Sequence, residues 1–381
     1  MAGIYIHIPF CGQLCTYCDF HFSMSLRRKD EMIDALLAEM EQRKEYLSNK
    51  KIDTLYIGGG TPSLLSVKEL GSLVSGVSKY WDISNLKEFT IETNPEDLSE
   101  EYLKDLLSLG VNRLSIGVQS FVDEYLKFMN RRHDAERALR CVKDAQKVGF
   151  KNISIDLIYG IPKLTDEQWR ETLKKALSLN IQHLSAYHLT IEPKTVLGLR
   201  QRKGLFKQVD ENISQSHYDI LEKETHDAGF EHYEISNFSK NGLRAIHNGN
   251  YWKGIDYLGI GPSAHSFDGK SRRWNIANNT RYIEAMLNNG GEGGFEGENL
   301  TLSDHYNEYI MTMLRTIDGV SYDNLKERFG EVYAEYFLKN IEPFVSKGTI
   351  IEKDNNFSIK TADFLISDSV ISNLFYINEN D

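Results

Sequence analysis

The chain reads as an α/β protein, a partial (β/α)6 barrel followed by a mainly helical, winged-helix-like module. Three observations predict this. Apolar, β-branched runs alternate six times with helical patterns, as in a parallel sheet with right-handed crossovers. Residues with distinctive chemistry recur just behind these runs, where a β/α barrel carries its active site. Beyond residue 300, helical patterns precede a short strand pair.

The first strand is expected at 3–8, with Ile-Tyr-Ile-His-Ile at its centre, and Cys11-Gly-Gln-Leu-Cys15-Thr-Tyr-Cys18 follows it. A helix at 28–47 leads to a strand at 52–57, closed by Gly58-Gly-Gly-Thr-Pro62. A helix at 66–80 precedes the strand 88–92, which ends on Glu92. The helix 99–109 precedes the strand 111–118, with Gln119 at its end. The helix 134–148 precedes the strand 151–158, which carries Asp156 near its end. A helix at 166–179, a strand at 181–189 and a helix at 211–228 complete the alternation. Past 230 the pattern is irregular and rich in aromatics and glycines, and it reads as strands and loops that close one side of the barrel. The glycine- and glutamate-rich stretch 289–299 reads as a linker or exposed loop. Helices at 302–316, 321–329 and 331–346 are followed by strands at 348–352 and 356–360, turned by Asp354-Asn-Asn356. The expected division is a barrel at 1–230, a barrel-closing region at 231–288, a linker at 289–299 and a C-terminal helical module at 300–381.

At 381 residues the chain can bury a large core and hold two or three domains. A net charge of −11 argues against non-specific nucleic-acid binding, and residues 300–381 carry 14 acidic against 7 basic side chains, which argues against a DNA-binding wing. No apolar run reaches the ~20 residues that span a bilayer. The first residues lack a basic segment and a cleavage site and read as a strand, not a signal peptide. Four cysteines, three of them bunched, are no disulfide framework and fit a reducing cytoplasm.

The C-x3-C-x2-C cluster carries the most chemistry. Soft thiolates at such spacing hold zinc or an iron–sulfur cluster. A [4Fe–4S] cube takes four cysteines, so three on one loop leave one iron open to a small chelating ligand. The competing reading is a structural zinc with His7 or His21 as fourth ligand. Cys141 shares a helical face with Ala138, Val142 and Ala145 and reads as a buried structural cysteine.

The cysteine spacing, Tyr17 just before the last cysteine, and Gly-Gly-Gly-Thr-Pro after the second strand resemble the radical S-adenosylmethionine (SAM) superfamily. There the open iron chelates the amino and carboxylate groups of SAM, and electron transfer cleaves SAM to a 5′-deoxyadenosyl radical. The resemblance implies Cys11, Cys15 and Cys18 as cluster ligands and Tyr5 packed beside SAM. It implies Gly59, Gly60 and Thr61 at the methionyl end and Arg131 as a clamp on the SAM carboxylate. Glu92, Gln119 and Asp156 would hold the ribose hydroxyls and the ammonium.

Ile-His-Ile-Pro-Phe-Cys at the start, Ile155-Asp-Leu-Ile-Tyr-Gly-Ile-Pro162 and Gly259-Ile-Gly-Pro-Ser-Ala264 are similar to the oxygen-independent coproporphyrinogen III oxidase group, essentially end to end. That group includes a decarboxylase branch of haem synthesis and a HemW-type haem-chaperone branch. The decarboxylase has a further cysteine just past the third, where this chain reads Asp19-Phe20, and a long N-terminal segment that this sequence lacks before its first strand. His247-Asn-Gly-Asn-Tyr-Trp252 matches the H-N-x-x-Y-W motif of the chaperone branch. The resemblance implies His247 as axial haem ligand, with Tyr251 and Trp252 on the porphyrin face. A core histidine beside two packing aromatics is the other reading of that motif, and His188 and His265 are weaker ligand candidates. The implied function is a cytoplasmic haem chaperone that binds haem, SAM and a [4Fe–4S] cluster. Its implied partners are haem-acceptor proteins, membrane-bound respiratory haem proteins among them, with no nucleic acid and no membrane span. The alternative is an oxygen-independent coproporphyrinogen III dehydrogenase; a radical SAM enzyme acting on tRNA is disfavoured by the acidic balance. Whether the chain is an enzyme, and whether it is a monomer or a homodimer, stays open.

Overall fold

The first strand, β1 (Gly3–Ile8), sets the inside and the outside of the barrel in a computed structural model that describes residues 1–377. Its side chains alternate. Ile4, Ile6 and Ile8 join the main apolar core, whereas Tyr5 and His7 face Tyr56 and His21. The pattern repeats through α1 (Lys29–Gln42), β2 (Thr54–Gly59), α2 (Val67–Tyr80), β3 (Glu88–Thr93), α3 (Glu100–Ser108) and β4 (Arg113–Gln119). Then follow α4 (Asp123–Phe128), α5 (Ala135–Val148), β5 (Ile153–Tyr159), α6 (Asp166–Ser178) and β6 (His183–His188). Strands β1 to β6 pair in parallel, in chain order.

Helix starts are locally encoded. Ser66 with Glu69, and Thr165 with Gln168, form capping boxes that satisfy the first N–H groups of α2 and α6. Asp134 caps α5, and Gly149, at φ +124°, ends it. Two short helices, α4 and α7 (Val196–Arg202), interrupt stretches the sequence pattern leaves as loops, and α8 (Glu211–Asp227) packs on α6.

The sheet continues past the six parallel strands on both sides. On one side β7 (Glu231–Glu234) pairs with β8 (Asn237–Ser239), which runs antiparallel to β6. The chain then forms α9 (Ile246–Trp252) and returns to the other edge, where β9 (Tyr257–Ile260) lies parallel to β1. β10 (His265–Phe267) and β11 (Ser271–Asn275) follow antiparallel, then α10 (Asn279–Asn288) and β12 (Phe295–Asn299). The twelve-stranded sheet runs from β12 to β7 without pairing its ends, so the barrel is open.

Three elements here differ from the sequence reading. The His247–Trp252 stretch is helical, not strand or loop. Residues 279–288 form a helix, and the range read as a linker contains β12. All five β12 residues are exposed, so no buried alternation marks the strand; backbone pairing to β11 makes it.

A buried network holds the extension to α1. Glu39 accepts from Arg43 at 3.2 Å, from Asn275 at 2.8 Å and from the backbone N–H of Gly261 at 2.8 Å, and the Tyr282 hydroxyl donates to it as well. Arg43 also donates to the Gly259 carbonyl at 2.9 Å. The charges are thus paired and hydrogen-bonded, as burial requires.

The C-terminal module comprises α11 (Leu302–Met313), β13 (Val320–Ser321), α12 (Tyr322–Phe329), α13 (Glu331–Ser346), β14 (Ile350–Lys353), β15 (Asn356–Ile359) and α14 (Ser367–Ser372). Asp354 and Asn355, both at positive φ, make the β14–β15 turn, and β13 completes a three-stranded wing. The module docks through the Arg272–Glu308 ion pair at 2.6 Å and through backbone hydrogen bonds from Ile235 to Arg315 and from Ile317 to Tyr233. The last four positions of the range 300–381 lie outside the described residues. No helix among the described residues is long and apolar enough to cross a membrane.

Candidate functional site

The cysteine loop leaves the C-terminal end of β1 and is pinned from the far side of the barrel. Thr16 donates its N–H to Met129 at 3.1 Å, Asn130 donates to Leu14 at 2.6 Å, and Leu197 donates to Thr16 at 2.9 Å. All three thiols are free; Cys11 is buried and Cys15 and Cys18 are half-buried. Arg131 Nη1 lies 3.3 Å from Cys15 Sγ, and Thr61 Oγ1 donates to Cys11 Sγ at 3.4 Å. Burial pushes Cys11 up to about 11 and Cys18 up to about 12, and repulsion from the neighbouring thiols adds to both. Such thiols become thiolates when a cation or metal compensates them.

The donor set fits an iron–sulfur cluster better than zinc. Of the two histidines that could complete a zinc site, His7 is engaged through both ring nitrogens and His21 through Nε2. His7 Nε2 is 2.9 Å from the His21 carbonyl and its Nδ1 is 3.1 Å from the Tyr5 hydroxyl, while His21 Nε2 is 2.7 Å from Asn279 Oδ1. Among the described residues no three His, Cys, Asp or Glu side chains converge on one point, as a single ion demands. A cube instead takes each sulfur on a separate iron.

The other residues expected at the strand ends fall into two groups. Glu92 accepts from the Tyr56 hydroxyl at 2.7 Å and from the Gly59 N–H at 3.0 Å, which ties the ends of β2 and β3 together. Burial raises its carboxyl to about 7, and burial raises Asp156 on β5 to about 6. Gln119, at φ +66°, and Arg131 form the second group. A Cβ added at Gly117 would come within 3.0 Å of the Gln119 amide and 3.3 Å of Arg131 Nη2. Arg131 Nη2 is committed to Asn94 at 2.6 Å and to the Gly117 carbonyl at 2.8 Å. The guanidinium therefore braces the cysteine loop, and only its buried Nε lacks a partner.

Gly60 is required by the chain itself. A Cβ there would stand 2.5 Å from the Phe10 carbonyl oxygen and 3.0 Å from that of Ile8. At Gly59, φ is +112° and a Cβ would meet the His7 ring at 2.7 Å. Tyr5 packs with its ring 5.8 Å from that of Tyr56 and 6.5 Å from that of His247. A buried arginine escaped the sequence reading. Arg113, at the start of β4, is 1% exposed, and its charge acts on Glu92, Asp156, His183 and His247. A lone arginine opening a strand gives no signal of this.

His247, the expected haem ligand, is buried between β2 and α9. The ring is 2% exposed, with Nδ1 2.8 Å from Thr54 Oγ1 and Nε2 2.8 Å from the Tyr251 hydroxyl. Both nitrogens are used within the protein, and burial holds the ring neutral, down at about 3. Glu88 accepts from the N–H groups of Ile246 and His247 at 2.6 and 3.1 Å, so a carboxylate from β3 caps α9. His188 is likewise engaged, 2.8 Å from Ser214 Oγ. Tyr251 and Trp252, however, line a cavity of about 650 Å³ between β1, the sheet extension and the C-terminal helices. Asp19 and Phe20, which follow the last cysteine, line it too.

An open parallel barrel with a three-cysteine loop at the C-terminal end of β1 defines a protein of the radical SAM type. Residues 5–176 match the radical SAM superfamily, and residues 300–364 match the HemN C-terminal domain. The chain is 35% identical to the heme chaperone HemW of Bacillus subtilis (strain 168), over 92% of this chain and 93% of that protein. It is 38% identical to the heme chaperone HemW of Escherichia coli (strain K12), over 69% of each. The solved structure of coproporphyrinogen III oxidase (HemN) from Escherichia coli, described as a radical SAM enzyme, superimposes with a TM-score of 0.85 over 98% of this chain and 90% of that one. At 23% identity that likeness speaks for the fold alone. The chain belongs to the heme chaperone HemW family of radical SAM proteins.

Proposed function

We propose that this chain takes up haem and hands it to acceptor proteins, on a barrel that carries a [4Fe–4S] cluster and SAM. The observation that carries the reading is the cavity of about 650 Å³, walled by Tyr251 and Trp252 and reached by the segment just behind the cysteine loop. Its size suits a cofactor-sized molecule, and its aromatic walls suit a flat apolar one. Cys11, Cys15 and Cys18 hold the cluster. The strand-end residues Glu92, Gln119 and Asp156 receive SAM, with Gly59, Gly60 and Thr61 shaping the edge nearest the cysteines and Tyr5 lining the wall beyond. When bound, the cluster and SAM supply reductive cleavage chemistry. Arg131 holds the loop in place through Cys15, Asn94 and Gly117.

The parts of the chain divide the work. The barrel binds the cluster and SAM, while the closing region and the C-terminal module enclose haem. The chain acts in the cytoplasm, and its partners are haem acceptors, membrane-bound respiratory proteins among them. The test is a haem titration of the reconstituted protein beside an anaerobic assay with coproporphyrinogen III and SAM. Saturable haem uptake without protoporphyrinogen IX is expected. Protoporphyrinogen IX above a cluster-free control would make the chain a decarboxylase.

A further inference from the structure

Most histidine rings in the barrel are occupied: His7, His133, His183, His188 and His247 all make side-chain hydrogen bonds. His265 and His305 are different. Neither ring makes a hydrogen bond among the described residues, and both line the large cavity. His265 stands on β10, on the same face as Phe267, and stacks on Trp274 with ring centres 6.0 Å apart. His305 projects from α11 and lies edge-on to the same Phe267, at 6.5 Å. One imidazole thus comes from the barrel extension and the other from the C-terminal module.

The same cavity supplies two further kinds of group. Tyr251, Tyr257 and Phe267 follow one another along one side, with ring centres 4.6 and 6.4 Å apart, the first pair edge-on and the second tilted, and give an aromatic wall. Three cations lie on the cavity lining: Lys253, Arg272 and Arg328. Arg272 is paired with Glu308, whereas Lys253 and Arg328 have no carboxylate partner among the described residues. Arg328 rests over the Tyr309 ring at 4.8 Å. Available imidazoles, an aromatic wall and unpaired cations match one ligand chemistry: a flat metallomacrocycle that carries carboxylates on one edge.

We propose that this cavity is the haem site, that the iron takes its axial imidazole from the His265–His305 pair, and that Lys253 and Arg328 receive the propionates. His247 then positions Tyr251 by its hydrogen bond and does not touch the iron. The proposal rests on the reading that the chain carries haem.

The experiment titrates ferric haem into the full-length protein and follows the Soret band and the electron paramagnetic resonance spectrum. The variants are His265→Ala, His305→Ala, the double variant, and His247→Ala. The expected result is loss of the histidine-ligated signature in the double variant, with roughly tenfold or greater weakening and recovery of the signature on adding free imidazole. His247→Ala, where folded by circular dichroism, should keep the wild-type signature. Lys253→Gln with Arg328→Gln should weaken haem but leave haem dimethyl ester unaffected. A wild-type signature in the double variant, or its loss in folded His247→Ala, overturns the proposal. A wild-type protein that takes up no haem instead overturns the underlying reading of function.

Discussion

The Tyr251 hydroxyl and His247 Nε2 lie 2.8 Å apart, one turn of α9 from each other, and Thr54 closes the other side of the ring. The imidazole is a buried connector between β2 and α9. His247→Ala leaves the Tyr251 and Thr54 hydroxyls without their partner and opens a void. We expect a loss of about 2–4 kcal/mol in unfolding free energy, read by denaturant titration of the haem-free protein. Unchanged stability would show that the ring is not a structural connector.

Cluster assembly separates the four cysteines. Changing Cys11, Cys15 or Cys18 to Ala should abolish iron retention after anaerobic reconstitution, measured as iron and sulfide per chain. Cys141 is fully buried in α5, and its thiol is 3.2 Å from the Ala138 carbonyl. Cys141→Ala should keep the full cluster and cost about 1 kcal/mol of stability. The Cys11→Ala protein should still take up haem, because the cavity is walled by other residues.

Gly60→Val tests whether the glycine serves a ligand or the chain. Any Cβ would meet the Phe10 carbonyl, one residue before Cys11. The substitution should displace the start of the cysteine loop and lower cluster yield and SAM affinity together, in iron analysis and equilibrium dialysis. Full cluster content with lost SAM affinity would place the steric conflict in the ligand's space instead.

Glu92 gives a pH test. Its folded carboxyl is raised to about 7, first by burial and further by the Asp156 charge, despite hydrogen bonds from Tyr56 and Gly59. The folded state therefore holds a proton that the unfolded chain has released between about pH 4.5 and 7. The stability contributed is full below that window and is lost as pH rises through it. Glu92→Gln, in the protein without cluster or SAM, should flatten this decline, by on the order of 2–3 kcal/mol across the window. An identical slope in the variant would mean that Glu92 is ionised throughout.

Local signals made much of the barrel legible. The Ile4, Ile6 and Ile8 alternation, the Ser66 and Thr165 caps and the closely spaced cysteines are all written within a few residues of where they act. The HemW family assignment was legible for the same reason, since its motifs are contiguous. What stayed hidden depends on distant partners. Helix α9 contains Asn248, Gly249 and Asn250, poor helix formers, and Glu88 caps it from 158 residues away. The buried setting of His247 stayed hidden because Thr54, 193 residues away, takes its second nitrogen. The cavity walls come from β1, α9, β10 and α11, so no single window of sequence displays His265 and His305 together.

Transfer of haem is the most direct test of the account. Protein loaded with one equivalent of ferric haem is mixed with a membrane-embedded b-type cytochrome stripped of its haem, and the acceptor's spectrum is followed in time. The account predicts that the acceptor spectrum appears as the donor Soret band decays, and that the His265→Ala/His305→Ala protein delivers far less. An acceptor that fills no faster from the loaded protein than from the same amount of free haem would contradict it.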